Sequence, residues 1–542
     1  MASQTRLAFL GGKIFTSDAK STIVSGVYAE EGRIRRVGHA DEIRKSLPPD
    51  TRIIDLQGKT LLPGLMDAHN HMVHVGTTMD NMQAGYPKIG SVGELASTVA
   101  NAAEDTPEGE WIRGWGMDYA KYPGGQMPTR WDIDDMSRKH PVVIVHTSGH
   151  FALVNSLALE QAGITDTVQD PKGGRFVRDG KGRITGMLLD SAQRVVIKGA
   201  VDVGNHGPDP GQDTPVEDLV QAIERVCKMY HKEGLTSIVD AQVTAREMPA
   251  YVEARNRGVL GVKVHCMYLS NHLKDVKALG VMGFMGDSRL SAGTIKCYAD
   301  GSLIGCTAAF QNPYVNPPDT YGYTYWDRDE LRDLLLESHT AGLHTGTHSQ
   351  GDAAMEMVVS SWEEILKEHP REDHRHRIEH CGYPIKHLER MAKLGLLAIS
   401  QPSYLYYNGD GFLANLGEER AKKLIPLRSE LDLGIPIVLS TDSPVVSFRP
   451  LDNISAAVSR VTMEGQDCGK DERITVEEAI RGYTINAAYS VFKEGEKGSI
   501  EVGKAADFTL IGGDLLNTPG EEIRNLSVEM TVIDGEIVYG AK

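Results

Sequence analysis

No two of the six cysteines form a C-x-x-C pair. Cys227, Cys266, Cys297, Cys306, Cys381 and Cys468 are widely spaced, which excludes a zinc ribbon and fits reduced thiols rather than a disulfide framework. No stretch approaches the roughly 18 consecutive apolar residues of a membrane span. The opening MASQTRLAFLGGKIF lacks the apolar core of a signal peptide. Positive charge is in deficit: 57 Lys and Arg stand against 74 Asp and Glu, a formal net charge of −17. That balance disfavours nucleic acid and anionic membrane as partners, because both attract basic patches. Neither G-x-x-x-x-G-K-[ST] nor a G-x-G-x-x-G placed after a strand occurs, so the nucleotide-binding fingerprints are missing. The expectation is a soluble, cytoplasmic protein whose partner is a small molecule.

What is present is length and core-forming material. The 542 residues are 41% hydrophobic and 24% charged, a composition that folds rather than stays disordered. Both ends carry short β-like runs between glycine turns, at residues 7–14, 25–28, 33–37 and 52–56, and again at 507–510 and 529–538. Asp534-Gly535 is a hairpin signal inside the last run. Residues 1–59 and 491–542 are therefore expected to build one small β-domain together. Between them, strands and helices alternate, the pattern of a parallel sheet. Eight candidate strands lie at 60–66, 235–240, 262–269, 294–298, 343–347, 375–379, 396–400 and 435–440. Thr214-Pro215-Val216-Glu217 reads as a capping box with Pro at N1, opening a helix that stops at Gly234. Asp327 with Glu330 opens another that ends near Gly342. Eight such units predict an α/β, (β/α)₈ TIM-type barrel over 60–490. A ninth strand, 141–146, is assigned to a long insertion of about 75–215.

In such a barrel the chemistry lies at the C-terminal strand ends. The first strand ends in Asp67-Ala68-His69-Asn70-His71, and a period of two puts His69 and His71 on one face. H-x-H alone is a weak signal; His374-Arg375-His376 repeats it. The other strand ends add Lys296, His348, His380 and Asp442. Four histidines and a carboxylate on one rim suit a divalent metal. Lys296 has no lone pair as an ammonium. Burial near cations favours its neutral amine, which can capture carbon dioxide as a bridging carbamate and so support two ions. The alternative is a lysine paired to Asp300 or Asp442 beside a single ion.

VGHADEIRKS, TLLPGLMDAHNHMVHVG, IKCYADGSL, RIEHC, TDSPV, YTINAAYS and GSIEVGKAADFTLI resemble the amidohydrolase superfamily, in particular its YtcJ-like branch with the N-substituted formamide deformylases. The likeness runs over roughly residues 7–540. It implies a metal-dependent hydrolase, zinc being the expected ion, whose barrel carries a β-sandwich built by both termini. It places His69, His71, Lys296, His348, His380 and Asp442 at the metal, with N6-carboxylysine expected at Lys296. PVVIVHTSGHFALVNSLAL implies that His150 and Asn155 lie near substrate. After His348 the branch usually reads close to H-A-I-G-D-R-A, whereas this chain has Ala353 where the arginine stands, so a substrate group held there is not expected.

The resulting expectation is attack of metal-bound hydroxide on an amide-type carbonyl, with Asp442 moving the proton, His380 at the metal and His150 holding the oxyanion. Aromatic residues make up only 6% of the chain, yet they crowd segments 310–326 and 404–412. Those segments follow the fourth and seventh strands, and clustering there suits an aromatic or bulky N-substituent, contacted by Tyr314, Trp326, Tyr404 and by Trp115 of the insertion. Anchoring of long loops, or an oligomer interface such as a homodimer's, is the alternative use of these rings. A heterocycle deaminase or cyclic-amide hydrolase, and a silent metal-binding protein, are the rival functions.

Overall fold

The computed structural model describes residues 6–197, 203–209, 211 and 213–541. Its centre is a barrel of eight parallel strands. They are β1 (Leu65–Asn70), β2 (Leu235–Val243), β3 (Lys263–Leu269), β4 (Leu290–Tyr298), β5 (His344–His348), β6 (Arg377–Glu379), β7 (Leu397–Ser400) and β8 (Ile437–Leu439). Spatial order follows chain order, each strand pairing with the next in parallel. Two backbone bonds bridge the seam between β8 and β1: the Asp442 N–H donates to the His69 carbonyl at 2.8 Å, and the His71 N–H to that of Ser443 at 2.9 Å.

Period-two alternation sorts the side chains. Ile295, Cys297 and Ile378 face outward and pack with Leu335, Val358 and Trp362 of the surrounding helices. Lys296, Arg377 and Glu379 occupy the intervening positions and turn inward, fully buried. The helix Arg328–Thr340 carries the expected reciprocal capping box of Asp327 and Glu330. Helix Val216–Lys232 starts one residue later than its sequence signal, with Pro215 in the N-cap position, and Glu217 pairs with Arg257 at 2.8 Å.

The run at 60–66 is two strands, not one. Thr60–Pro63 belongs to the terminal sheet and Leu65–Asn70 to the barrel. Gly64 sits at the break because a Cβ there would come within 2.4 Å of the Thr236 hydroxyl. The terminal sheet has eight strands from both ends of the chain, with Thr60–Pro63 lying between Arg6–Phe15 and Phe508–Ile511. Its sandwich-like core brings Phe9 against Phe508, ring centroids 5.3 Å apart. The expected hairpin turns at Asp534-Gly535 between Val528–Ile533 and Glu536–Tyr539.

The insertion holds a six-stranded sheet of its own, of which Val142–His146 had been anticipated. Phe151–Val154 and Ile184–Asp190 pair antiparallel in it, and His150, just before the first of them, lines the cleft described next. Among the described residues, no helix is long and apolar enough to cross a membrane.

Candidate metal centre

β1 ends by aiming His69 and His71 at one carboxylate. Nε2 of His69 lies 3.4 Å and Nε2 of His71 2.9 Å from Asp442 Oδ1. His380, just past β6, stands 3.9 Å from Asp442 Oδ2 and meets the His69 ring at 4.7 Å and the His348 ring at 4.4 Å between centroids. His69, His380 and Asp442 each bring a ligand atom within 4.8 Å of the others. The backbone is strained here: His380 and Asp442 adopt φ of 71° and 60°. Non-glycine residues pay for that conformation, so the surrounding fold must enforce it.

These donors fit a divalent ion. Nδ1 of His69 is taken by Glu379 Oε2 at 2.5 Å, leaving Nε2 to face the centre. Among the described residues, Nδ1 of His348 is buried without a hydrogen-bond partner, while its Nε2 approaches the Gly301 carbonyl at 2.9 Å. Lys296 Nζ lies 3.4 Å from His69 Nε2 and 4.6 Å from the centroid of the Tyr298 ring. Asp300, weighed as its partner, is occupied elsewhere: its carboxylate accepts backbone N–H bonds from Ala309, Gln350 and Gly351.

Burial governs the electrostatics. It brings the Lys296 ammonium down to about 8, with Glu379 and Asp442 opposing the drop. It also drives His348 and His380 well below the ordinary histidine value. For Asp442 burial is the largest single effect and pushes upward, but hydrogen bonds from His69 and His71 and the charge of His380 outweigh it and hold the carboxyl low. Glu379 is held low in the same way by Arg377 and His69.

The centre opens into a cleft with about 530 Å³ of empty space, lined by His71, His150, Tyr298, His348, Tyr404 and Asp442 among others. Tyr404 donates its hydroxyl proton to Asp442 Oδ2. His150 comes from the insertion, its ring 5.7 Å from that of His348. Trp115, Pro444 and Val445 line both this cleft and a larger cavity of about 1040 Å³ between the insertion and the barrel.

Three expected contacts lie elsewhere. Asn155 caps the helix Ser156–Gln161 and is consumed by backbone bonds to Val142, Ala158 and His140. Tyr314 packs on Phe310 and donates to the Ala308 carbonyl. Trp326 packs on His206 with its ring outside the cleft wall. For Tyr314 and Trp326 the loop-anchoring alternative is what the structure shows. Residues 404–412 are not a loop; they lie in the helix Ser403–Leu416, which carries Tyr404 to Asp442. Glu379, Arg377 and Gln401, whose Oε1 lies 3.0 Å from His380 Nδ1, were not anticipated. The alternation Arg377-x-Glu379 beside His380 was the available signal, since it sets two opposite charges on the inward face of one strand.

A sequence model of the amidohydrolase family matches residues 52–539. The N-substituted formamide deformylase of Arthrobacter pascens is 28% identical over 547 aligned residues, covering 99% of both chains. YtcJ of Bacillus subtilis (strain 168) is 28% identical, covering 98% of each. A solved metal-dependent hydrolase from Pyrococcus horikoshii OT3 superposes with a TM-score of 0.74 at 24% identity, over 95% of this chain and 99% of that one.

Proposed function

The chain belongs to the amidohydrolase family and is a metal-dependent hydrolase of carbon–nitrogen bonds, and we propose that its substrate is an N-substituted amide or formamide bearing an aromatic or bulky group. The observation that carries this reading is the placement of Asp442, a buried carboxylate held between the two histidines at the end of β1 and the Tyr404 hydroxyl at the floor of an open cleft.

His69, His71, His348, His380 and Asp442, with Lys296 as N6-carboxylysine, would hold one or two zinc ions. Such an ion, when bound, acidifies water and polarises a carbonyl. The chain's own residues supply the rest. Asp442 accepts the proton of the attacking water and passes it to the departing nitrogen. Tyr404, donating to Oδ2, fixes the plane of that carboxylate. His150, on the facing wall, donates to the carbonyl oxygen as charge develops there. The lowered Lys296 value supports carbamate formation, because more of the amine is neutral near pH 8. The bulky nitrogen substituent leaves the cleft past Trp115 and Val445 into the adjoining cavity.

The test is Asp442→Asn. Turnover of an N-aryl or N-arylalkyl formamide is expected to fall by about 10³-fold, with the melting temperature unchanged and metal still bound. Full turnover would refute the proton-transfer role. Equal kcat/KM for small aliphatic and aryl formamides would refute the bulky substituent. Metal analysis of the purified protein separates one ion from two, and electron density at Lys296 in a crystal of the holoenzyme reads the carbamate directly.

A further inference from the structure

His150, just before the strand Phe151–Val154, and Asp190, the last residue of its neighbour Ile184–Asp190, are joined twice. The Asp190 N–H donates to the His150 carbonyl at 2.8 Å. The His150 Nδ1 lies 2.6 Å from Asp190 Oδ1, both side chains almost fully buried. The same Oδ1 accepts the Tyr325 hydroxyl at 2.5 Å. Asp190 achieves this from a costly backbone conformation, φ 46° and ψ −118°. Among the described residues its other oxygen, Oδ2, is buried without a hydrogen-bond partner. A carboxylate kept only for stability has little reason to be both strained and half satisfied, since each feature destabilises the fold.

We propose that Asp190 is a positioning residue for hydrolysis, acting through His150. This rests on the reading that His150 faces the substrate carbonyl. A carboxylate acceptor at Nδ1 fixes the imidazole proton on that nitrogen and locks the plane of the ring. Nε2 is then the nitrogen left for the cleft. Ser148 and Gln193 brace the same turn: the His150 N–H donates to the Ser148 hydroxyl at 3.3 Å and the Gln193 amide to the Gly149 carbonyl at 3.0 Å. The long insertion thus does more than cover the barrel. It supplies a wall of the centre through His150, which lines the cleft together with Asp442, while the strained Asp190 backs that ring from inside the insertion.

Two measurements test this. In wild-type holoenzyme labelled with ¹⁵N-histidine, the His150 resonances, assigned by their loss in His150→Gln, should report a proton on Nδ1. A ring protonated at Nε2 alone would overturn the proposal, and this readout needs no substrate. Asp190→Asn should lower kcat by about 10–100-fold with KM, metal content and melting temperature little changed. In the His150→Gln background the same substitution should cost less than about twofold, because its only route to the chemistry has been removed. Unchanged kcat in Asp190→Asn, or equal losses in both backgrounds, would overturn the positioning role. Should wild-type protein hydrolyse none of the amides while the Nδ1 proton is present, the substrate reading fails and the pair stands.

Discussion

Glu379 backs the candidate metal centre without being one of its proposed ligands. It is buried on β6, bonded at 2.6 and 2.9 Å to the Arg377 guanidinium and at 2.5 Å to His69 Nδ1. Arg377 in turn donates to the Ala68 carbonyl at 2.7 Å, tying β6 to β1 below the ligands. A carboxylate behind a ligand histidine sets its tautomer and raises its basicity, and losing such a partner typically weakens metal binding about 10–100-fold. Glu379→Gln keeps the shape and removes the charge. Its affinity for zinc, read by competition with a chelator, should fall by about that factor. Some stability should go as well, because Arg377 is left buried with its charge uncompensated. Wild-type affinity in that variant would mean that His69 is oriented by the strand alone.

At the level of elements, position along a strand separates two motifs that read alike. His69-x-His71 and His374-x-His376 have identical spacing, yet one closes β1 and the other precedes β6. Only the first reaches the C-terminal rim. His376 is spent at the opposite end, where its ring stacks on Trp362 at 3.9 Å and bonds His339 at 2.9 Å, while His344 bonds Thr294 at 2.9 Å and the Arg375 carbonyl at 2.6 Å. The strands were legible because apolar runs opened by glycine mark them, and the candidate ligands were placed from their far ends. What stayed hidden depended on three-dimensional partners: Glu379 behind His69, Asp190 behind His150, and the division at Gly64. The buried histidines of the barrel floor have a measurable consequence. Burial depresses His344 to about 3, and His265 and His376 are also held well below the usual value. A neutral form favoured in the folded state stabilises fully above the unfolded value near 6.5 and is lost as pH falls below it, for His344 down to about 3. Each such group should therefore cost about 1.4 kcal/mol of unfolding free energy per pH unit in that window. His344→Gln should flatten the pH dependence of urea unfolding by about one such increment between pH 6 and 5; an unchanged slope would show that other groups dominate.

On the scale of the whole molecule, the three sheets divide the labour. The terminal sheet is pinned to the barrel floor, where Lys263 at the start of β3 bonds Asp507 and Asp534, both at 2.7 Å. The opposite rim faces the insertion, and the gap between them holds the cleft in which Asp442 lies. The cavity next to the metal cleft draws Tyr86, Trp115 and Lys121 from the insertion and Tyr407, Val445 and Phe448 from the barrel side. A wall shared between two sheets of one chain cannot be read from periodicity, since neither segment signals its partner. Tyr86 is 45% exposed there, so its truncation leaves little cavity in the folded core. A bulky nitrogen substituent covering roughly 50 Å² of that ring would gain about 1.2 kcal/mol at ~25 cal/mol/Å². Tyr86→Ala should then raise KM about eightfold for formamides with a long aromatic substituent, while leaving kcat and the KM of N-methylformamide nearly unchanged. An equal rise for both substrates would mean that Tyr86 acts on the cleft itself. No rise for either would send the substituent out of the centre by a path other than the one under Trp115 and Val445.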